Sequence, residues 1–306
     1  MNDSVAGLRH KIAGARDLRA IVRTMKALAA SSIGQYERSV LALADYDRSV
    51  TFGLGECFRQ AQVSPDAPNR ELPDKGDKIG AIVFGSDQGL VGPFNDVVAD
   101  HAIRALAALP GRPQVWAIGE RVQVRLADAG LAMVGYYAVP GSIDAVAPLV
   151  GQIQIDSEAH REQGHYTRVY VFHNRPTSGS LYEPCGQRLL PLDARWQLGL
   201  AALPWPRTAL PEVLDSGVMT LRALVREYLF ISLFRACTES LASENASRLA
   251  AMERADSNIT DLLDHLDSKF RQLRQRSIDE ELFDVTSGYE ALSKENAGAH
   301  PTGRVR

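Results

Sequence analysis

Glycine-rich turns between a strand and a helix are where many α/β proteins hold phosphates. The segment Gly85-Ser86-Asp87-Gln88-Gly89-Leu90-Val91-Gly92, directly after the apolar run Lys78 to Phe84, is therefore the first to weigh. It has neither the Gly-x-Gly-x-x-Gly spacing nor the Gly-x-x-x-x-Gly-Lys-Ser/Thr spacing, so it encodes no backbone cradle with its lysine. It reads as a structural turn in which Asp87 caps or pairs locally. The seven histidines contain no His-Glu-x-x-His pair, and His160, His165 and His173 are not spaced as helical metal ligands, so they read as surface or core residues. Ser178 and Ser180 lie in Thr-Ser-Gly-Ser, which lacks the Gly-x-Ser-x-Gly elbow of a nucleophilic serine. Cys57, Cys185 and Cys237 are far apart and odd in number, which argues against a disulfide framework and a zinc cluster and fits a reducing compartment. No catalytic residue, cofactor or metal is expected.

Charge narrows the field further. Lys plus Arg number 34 against 37 Asp plus Glu, so no field of one sign covers the molecule as it would in a dedicated nucleic-acid binder. The first helix is basic early, with Arg9, Lys11, Arg16, Arg19, Arg23 and Lys26. That face could meet phosphates, meet acidic loops of a partner, or be solvated; it carries no interleaved aromatics for stacking bases. Arg248, Arg254, Arg271, Arg274 and Arg276 stand among many acids near the other end and read mostly as a solvated helix flank. The start has no apolar leader. The longest greasy stretch, Tyr228 to Phe234, is far short of the roughly 18 residues a bilayer span needs. An integral membrane protein is not expected.

The elements that must carry these residues follow from where proline falls. Residues 1–64 contain none, and 70 residues from Val218 to Ser287 have neither Gly nor Pro. If all of those are helical they span about 105 Å at 1.5 Å per residue. In the first segment Val5, Leu8, Ile12, Ala15, Leu18, Val22, Met25, Ala29, Ile33, Tyr36, Val40, Leu43 and Tyr46 recur at steps of three or four; Ile259, Leu262, Leu266, Phe270 and Leu273 repeat the pattern near the end. Two such stripes predict an antiparallel coiled coil of long terminal helices; the alternative is two independent amphipathic helices packed on one globule. Between them, Lys78 to Phe84, Gln114 to Ile118 and Tyr166 to Phe172 read as strands, and Gln187 to Leu192 is strand-like. Pro93 to Leu109, Glu120 to Ala129 and Ile143 to Gln163 read as helices, predicting an open, Rossmann-like α/β sheet. The fold class is thus α/β plus long α. The expected parts are 1–60 as the N-terminal coiled-coil helix, 75–200 as the α/β domain, 209–292 as the C-terminal coiled-coil helix and 293–306 as a loose polar tail. Glu56 to Asp77 and Ala201 to Pro211 read as linkers.

Leu241-Ala242-Ser243-Glu244-Asn245-Ala246-Ser247-Arg248-Leu249-Ala250-Ala251-Met252 resembles the Ala-Ser-Glu-x-x-Ala-Arg-Met-x-Ala-Met signature of the gamma subunit of F-type ATP synthases. Arg274-Gln275-Arg276-Ser277-Ile278-Asp279-Glu280-Glu281-Leu282 and Ser287-Gly288-Tyr289-Glu290-Ala291-Leu292 resemble that family's closing motifs. Met25-Lys26-Ala27-Leu28-Ala29-Ala30-Ser31 resembles its Met-x-Met-Val-Ala-Ala-Ser, and Ser86-Asp87-Gln88-Gly89-Leu90-Val91-Gly92-Pro93-Phe94-Asn95 is similar to its Ser-Asp-Arg-Gly-Leu-Cys-Gly-x-Leu-Asn. The resemblance implies a non-catalytic rotor, a central stalk coupling ion flow through a membrane ring to ATP synthesis or hydrolysis at sites on partner beta subunits. The implied partners are the alpha and beta subunits, the epsilon subunit and the c-ring, with no nucleic acid. The implied place is peripheral, on the cytoplasmic face of a bacterial cell membrane. It also implies partner contacts at Met25, Lys26, Ser32, Arg248, Arg274, Gln275 and Asp279; for Met25 the alternative is core packing. Ser32 stands where the family usually has Lys, Asp279 where it has Thr, and Leu203 to Pro211 where its foot often carries Tyr-x-Tyr-Glu-Pro. These departures suggest a divergent branch, such as an alternative bacterial F-type ATPase. The tail after Leu292 extends past the family's usual end and is expected to project beyond the hexamer's crown. A reading from another class is an α/β enzyme or adaptor with a coiled-coil arm.

Overall fold

The computed structural model describes residues 4–60, 78–163, 166–178, 181–206, 211–212 and 217–298. In chain order the elements are α1 (Val5–Gln60), β1 (Lys78–Phe84), α2 (Phe94–Ala107), β2 (Arg112–Ile118), α3 (Glu120–Asp128), β3 (Ala132–Tyr137), a 3-10 turn (Ile143–Ala145), α4 (Val146–Glu162), β4 (Arg168–Arg175), β5 (Glu183–Leu190), α5 (Ala194–Ala201) and α6 (Gly217–Gly298). They divide into two units: Lys26–Ala251, and the described parts of Met1–Met25 and Met252–Arg306.

In the unit Lys26–Ala251 the sheet runs β3-β2-β1-β4-β5. Strands β1 to β4 are parallel and β5 pairs antiparallel with β4. β1 reads as a continuous apolar run because both of its faces are covered, as parallel sheets require. Ile79, Ala81 and Val83 pack with Val98, Ala102 and Leu106 of α2 and with Val122 and Leu126 of α3. Ile82 and Phe84, on the alternate positions, pack with Val150 and Ile153 of α4 and with Leu233, Cys237 and Leu241 of α6. The last helix is therefore part of the sheet's own core.

Two elements add to those expected from sequence. β3 is an edge strand broken by Gly135, where an added Cβ would lie 2.6 Å from the Trp116 ring. That close approach breaks the usual strand signal. α5 forms where no helix was expected and meets the expected linker only at Ala201; Asp193 starts it by accepting hydrogen bonds from the N–H groups of Arg195 at 2.8 Å and Trp196 at 3.1 Å. β5 begins at Glu183, earlier than the expected Gln187, and tolerates Pro184 because it is an edge strand. α1 continues to Gln60 and α6 through Gly298; residues 61–77, 207–210 and 299–306 of the expected linkers and tail lie outside the described residues.

Burial along α1 repeats every seven residues, at Leu8, Ala15, Val22, Ala29, Tyr36, Val50 and Cys57, with Ile12 and Leu54 four residues after members of that row. Ser4 caps the helix by accepting a hydrogen bond from Gly7 N–H at 3.1 Å. The stripe is not quite the expected one. Leu18 is 51% exposed, and the next position, Arg19, falls on the seam because a 3.5-residue period advances from 15 to 18.5 and then to 22. On α6, Met252, Ile259 and Leu266 repeat by seven and Leu263 joins them, whereas Leu262, expected in the stripe, is 48% exposed. Tyr46 also faces outward at 45% exposure, its hydroxyl donating to Glu227 at 2.6 Å.

In the unit of the chain ends, Arg19 pairs with Asp256 at 3.0 Å, Arg23 with Asp256 at 3.4 Å and Arg16 with Asp267 at 3.6 Å, while the Arg9 guanidinium lies 5.5 Å from the Phe270 ring centre. Rising numbers on α1 meet falling numbers on α6, so the helices run antiparallel there. The hydrogen bond from Arg19, with Arg23 beside it, holds the Asp256 carboxyl below the usual carboxylate range. Much of the basic N-terminal face is thus engaged within the chain. Leu266 is 8% exposed, so Leu266→Asp places an unpaired charge in the apolar row and should cost about 2–7 kcal/mol. A thermal melt of the variant checks this: the midpoint should fall, and an unchanged midpoint would show that Leu266 does not hold the ends together.

Candidate functional site

The sheet brings two of the sequence motifs together: the turn after β1 and the serine- and alanine-rich stretch of α6. Ser86, fully buried, starts the turn. Its N–H donates to Asn95 Oδ1 at 2.9 Å, Asn95 Nδ2 donates back to Ser86 Oγ at 2.8 Å, and Ser86 Oγ donates to the Gln88 carbonyl at 2.9 Å. Asp87 accepts from Glu120 N–H at 2.9 Å, from the Tyr136 hydroxyl at 3.1 Å and from Val139 N–H at 2.8 Å. It therefore caps α3 and pins the chain after β3 through partners 33 to 52 residues away, a structural role as expected but not the local one, and its carboxylate is committed to structure. Gly119, just before α3, has φ +112°, and a Cβ there would lie 2.7 Å from Ser86 N.

Three residues of α6 spaced by four reach the same region. Glu239 Oε2 lies 2.8 Å from His173 Nε2. Ser243 Oγ donates to the Asn174 carbonyl at 3.1 Å, and Ser247 Oγ donates to the Val91 carbonyl at 2.5 Å. Asn174 Nδ2 in turn donates to the Phe94 carbonyl at 2.9 Å, tying the end of β4 to the start of α2. His173, Asn174, Ser243 and Ser247 are all buried, so these bonds satisfy atoms that would otherwise be costly to enclose, while His173 Nδ1 and Asn174 Oδ1 have no hydrogen-bond partner among the described residues. No sequence motif marks these contacts; their one local signal is the run of small polar residues at helical spacing.

One turn along, Arg248 Nη2 donates to Glu244 Oε1 at 2.5 Å and Nη1 to Asn245 Oδ1 at 3.3 Å. The Arg248 and Glu244 side chains are 13% and 7% exposed. Burial pushes the Glu244 carboxyl above its usual range, with Arg248 opposing the shift. Burial, followed by the charge of Glu244, raises the Tyr36 phenol. Cys237, deep in the core, is likewise pushed up by burial.

The residues implicated by resemblance are placed as follows. Met25 and Lys26 are half-buried neighbours on α1, and Ser32 donates to its own helix at the Leu28 carbonyl, 2.9 Å away. Arg248 is occupied by the internal pair just described. Arg274, Gln275 and Asp279 are exposed on α6, and Gln275 Nε2 donates to Asp279 Oδ1 at 2.9 Å. His160 holds the Asp156 carbonyl at 2.8 Å and His173 is a buried polar contact; His165 and Ser180 lie outside the described residues.

Two substitutions test this arrangement. Asp87→Ala removes a helix cap and two further bonds and should lower stability by about 1–2 kcal/mol or more; equilibrium urea unfolding reads it. Arg248→Met strands the buried Glu244 carboxylate and should cost about 3–5 kcal/mol, whereas the double variant with Glu244→Met should recover most of the loss. A flat double-mutant cycle in the isolated chain would show that Arg248 is not held by Glu244.

Comparison with known proteins bears on what the arrangement belongs to. A family model described as ATP synthase matches residues 4–292. The ATP synthase gamma chain of Nitrosomonas eutropha is 26% identical over 297 residues, covering 93% of this chain and 98% of its own. The fold is similar to a chain in the rotor of Euglena gracilis mitochondrial ATP synthase in rotational state 1, with TM-score 0.57, 16% identity and coverage of 90% of this chain and 98% of that one. It is also similar to a chain in the OSCP/F1/c-ring assembly of the same enzyme in rotational state 3, with TM-score 0.62, 16% identity and coverage of 99% of both. With a match that runs from the start of α1 nearly to the end of α6, the chain belongs to the gamma-chain family of ATP synthases.

Proposed function

We propose that this chain is the central-stalk rotor of an F-type ATP synthase, a non-catalytic subunit that couples ion flow through a membrane ring to ATP synthesis or hydrolysis on partner beta subunits. Family membership carries the reading. The physical features that suit it are the seven-residue burial repeat on both terminal helices and the antiparallel ion pairs that join their outer parts. In this reading residues 1–60 and 209–292 form an antiparallel coiled coil, a shaft stiff because its long stretches lack proline. The Rossmann-like domain of residues 75–200 is the foot, bound to the epsilon subunit and the c-ring.

Near its end α6 exposes Leu282, Phe283 and Val285 at 67%, 73% and 72%. Side chains this apolar along one stretch suit a sleeve of partner subunits, and the alpha and beta hexamer would supply it. Arg274, Gln275 and Asp279 then serve as polar contacts on that shaft, and Met25, Lys26 and Ser32 as contacts on α1. Arg248 is a partner contact by family resemblance alone, since its side chain is largely enclosed beside Glu244. The end of α6 past Leu292, to Gly298, would project past the hexamer's crown. No described helix is long and apolar enough to cross a membrane; attachment at the cytoplasmic face of a bacterial membrane would come through the ring.

The test is co-expression with alpha and beta subunits encoded beside it, followed by purification and an ATP hydrolysis assay. A stable assembly of three alpha, three beta and one copy of this chain, with turnover lost when the chain is omitted, is the expected result. Failure to assemble with those partners would overturn the reading.

A further inference from the structure

We infer that the polar row Glu239, Ser243 and Ser247 on α6 is the joint that carries torque between the α/β fold and the helix, acting as keys against slip. The inference rests on the rotor reading and names the residues that would hold the shaft and foot in register. The first observation is spacing: residues four apart lie on one face of a helix, so the three side chains form a single line. The second is where they reach. Glu239 meets His173 at 2.8 Å and Ser243 meets the Asn174 carbonyl at 3.1 Å, both at the end of β4, while Ser247 meets the Val91 carbonyl at 2.5 Å in the turn after β1. The Asn174 amide donates to the Phe94 carbonyl at 2.9 Å, so the two gripped segments are themselves bonded. Helix, strand end and turn close into one ring of contacts.

The third observation is that these serines depart from what helical hydroxyls do elsewhere in the chain. Thr24, Ser32, Ser39, Ser49, Thr238, Thr260 and Thr286 each bond back to the carbonyl four residues earlier on their own helix, the ordinary local outcome. Ser243 and Ser247 bond outward, to two different elements. Apolar burial resists separation of surfaces but has no direction within the plane of contact. Hydrogen bonds hold to a few tenths of an ångström and weaken steeply off axis, so buried bonds resist sliding and rotation. A rotor needs that resistance where load passes between the foot and the helix.

The test uses the assembled complex in membrane vesicles and reads ATP-driven ion uptake per ATP hydrolysed. The double variant Ser243→Ala/Ser247→Ala removes two hydrogen bonds, an expected drop of about thirtyfold in the ratio of engaged to slipped joint, so it should keep the hydrolysis rate of the parent while uptake per ATP falls. Thr238→Ala, which removes a back-bonded hydroxyl from the same helix, should leave the ratio unchanged. Backbone hydrogen exchange of residues 86–95 in the full chain should speed up in the double variant. An unchanged ratio would overturn the joint, whether or not exchange rises. So would a fall of uptake and hydrolysis in proportion, which would mark a merely structural role. Failure of the rotor reading itself is visible separately, as failure of the parent chain to assemble.

Discussion

How closely α6 can approach the sheet is the constraint on which the α/β unit depends. Leu233, Ala236, Cys237, Leu241 and Ala242 belong to the same core as Ile82, Phe84 and Val171, so the helix serves as one covering layer of the sheet. A helix brought this near also buries backbone carbonyls of the turn and of the β4 end, which must be satisfied or the contact is lost. Small side chains solve both problems. Alanine leaves room for the approach, and serine supplies a donor short enough to reach a carbonyl without pushing the backbones apart. Leucine at Ser243 or Ser247 could meet neither demand. The turn is shaped to match: Leu90 and Gly92 adopt φ of +63° and +56°, conformations that for leucine persist only where the surroundings hold them.

Charge has a different task on the two long helices. An apolar row with a seven-residue repeat fixes which face is buried but leaves open a slip by a whole repeat. The ion pairs remove that freedom. Arg19 occupies a seam position on α1 and meets Asp256, which stands four residues after Met252 in the seam of α6. In the other unit Asp47 of α1 meets Arg235 of α6 at 2.5 Å. Each pair is partly exposed, so its contribution to stability is small; what it supplies is register, since a shifted helix would leave a charge facing apolar side chains. The buried Glu244–Arg248 pair is the exception, because neither partner can be removed without leaving the other uncompensated.

These features bear on rotor function through directionality. Apolar cores give the two units their cohesion, but a part that transmits force sideways needs contacts that fail when displaced. The structure places such contacts where α6 crosses the end of β4 and the turn. There the packing is dry enough for hydrogen bonds to be strong and costly to break.

Sequence alone determined the local features whose signal is carried within a few residues. Both long helices, β1, β2, α2, α3 and α4 follow from periodicity, proline placement and turn chemistry, and the motifs pointed to the family. What periodicity left ambiguous was a matter of a single step: it put Leu18 and Leu262 in the stripes, where a 3.5-residue period turns Arg19 and Leu263 inward. Only tertiary structure decided that β3 is a strand, because its Gly135 answers to the Trp116 ring on the neighbouring strand. Only tertiary structure turned Ser243, Ser247 and Asn174 into a joint. Their partners at Val91, Asn174 and Phe94 are 69 to 156 residues away, and a donor's acceptor at that distance is chosen by the fold. The same serines in an isolated helix would bond back to their own turn.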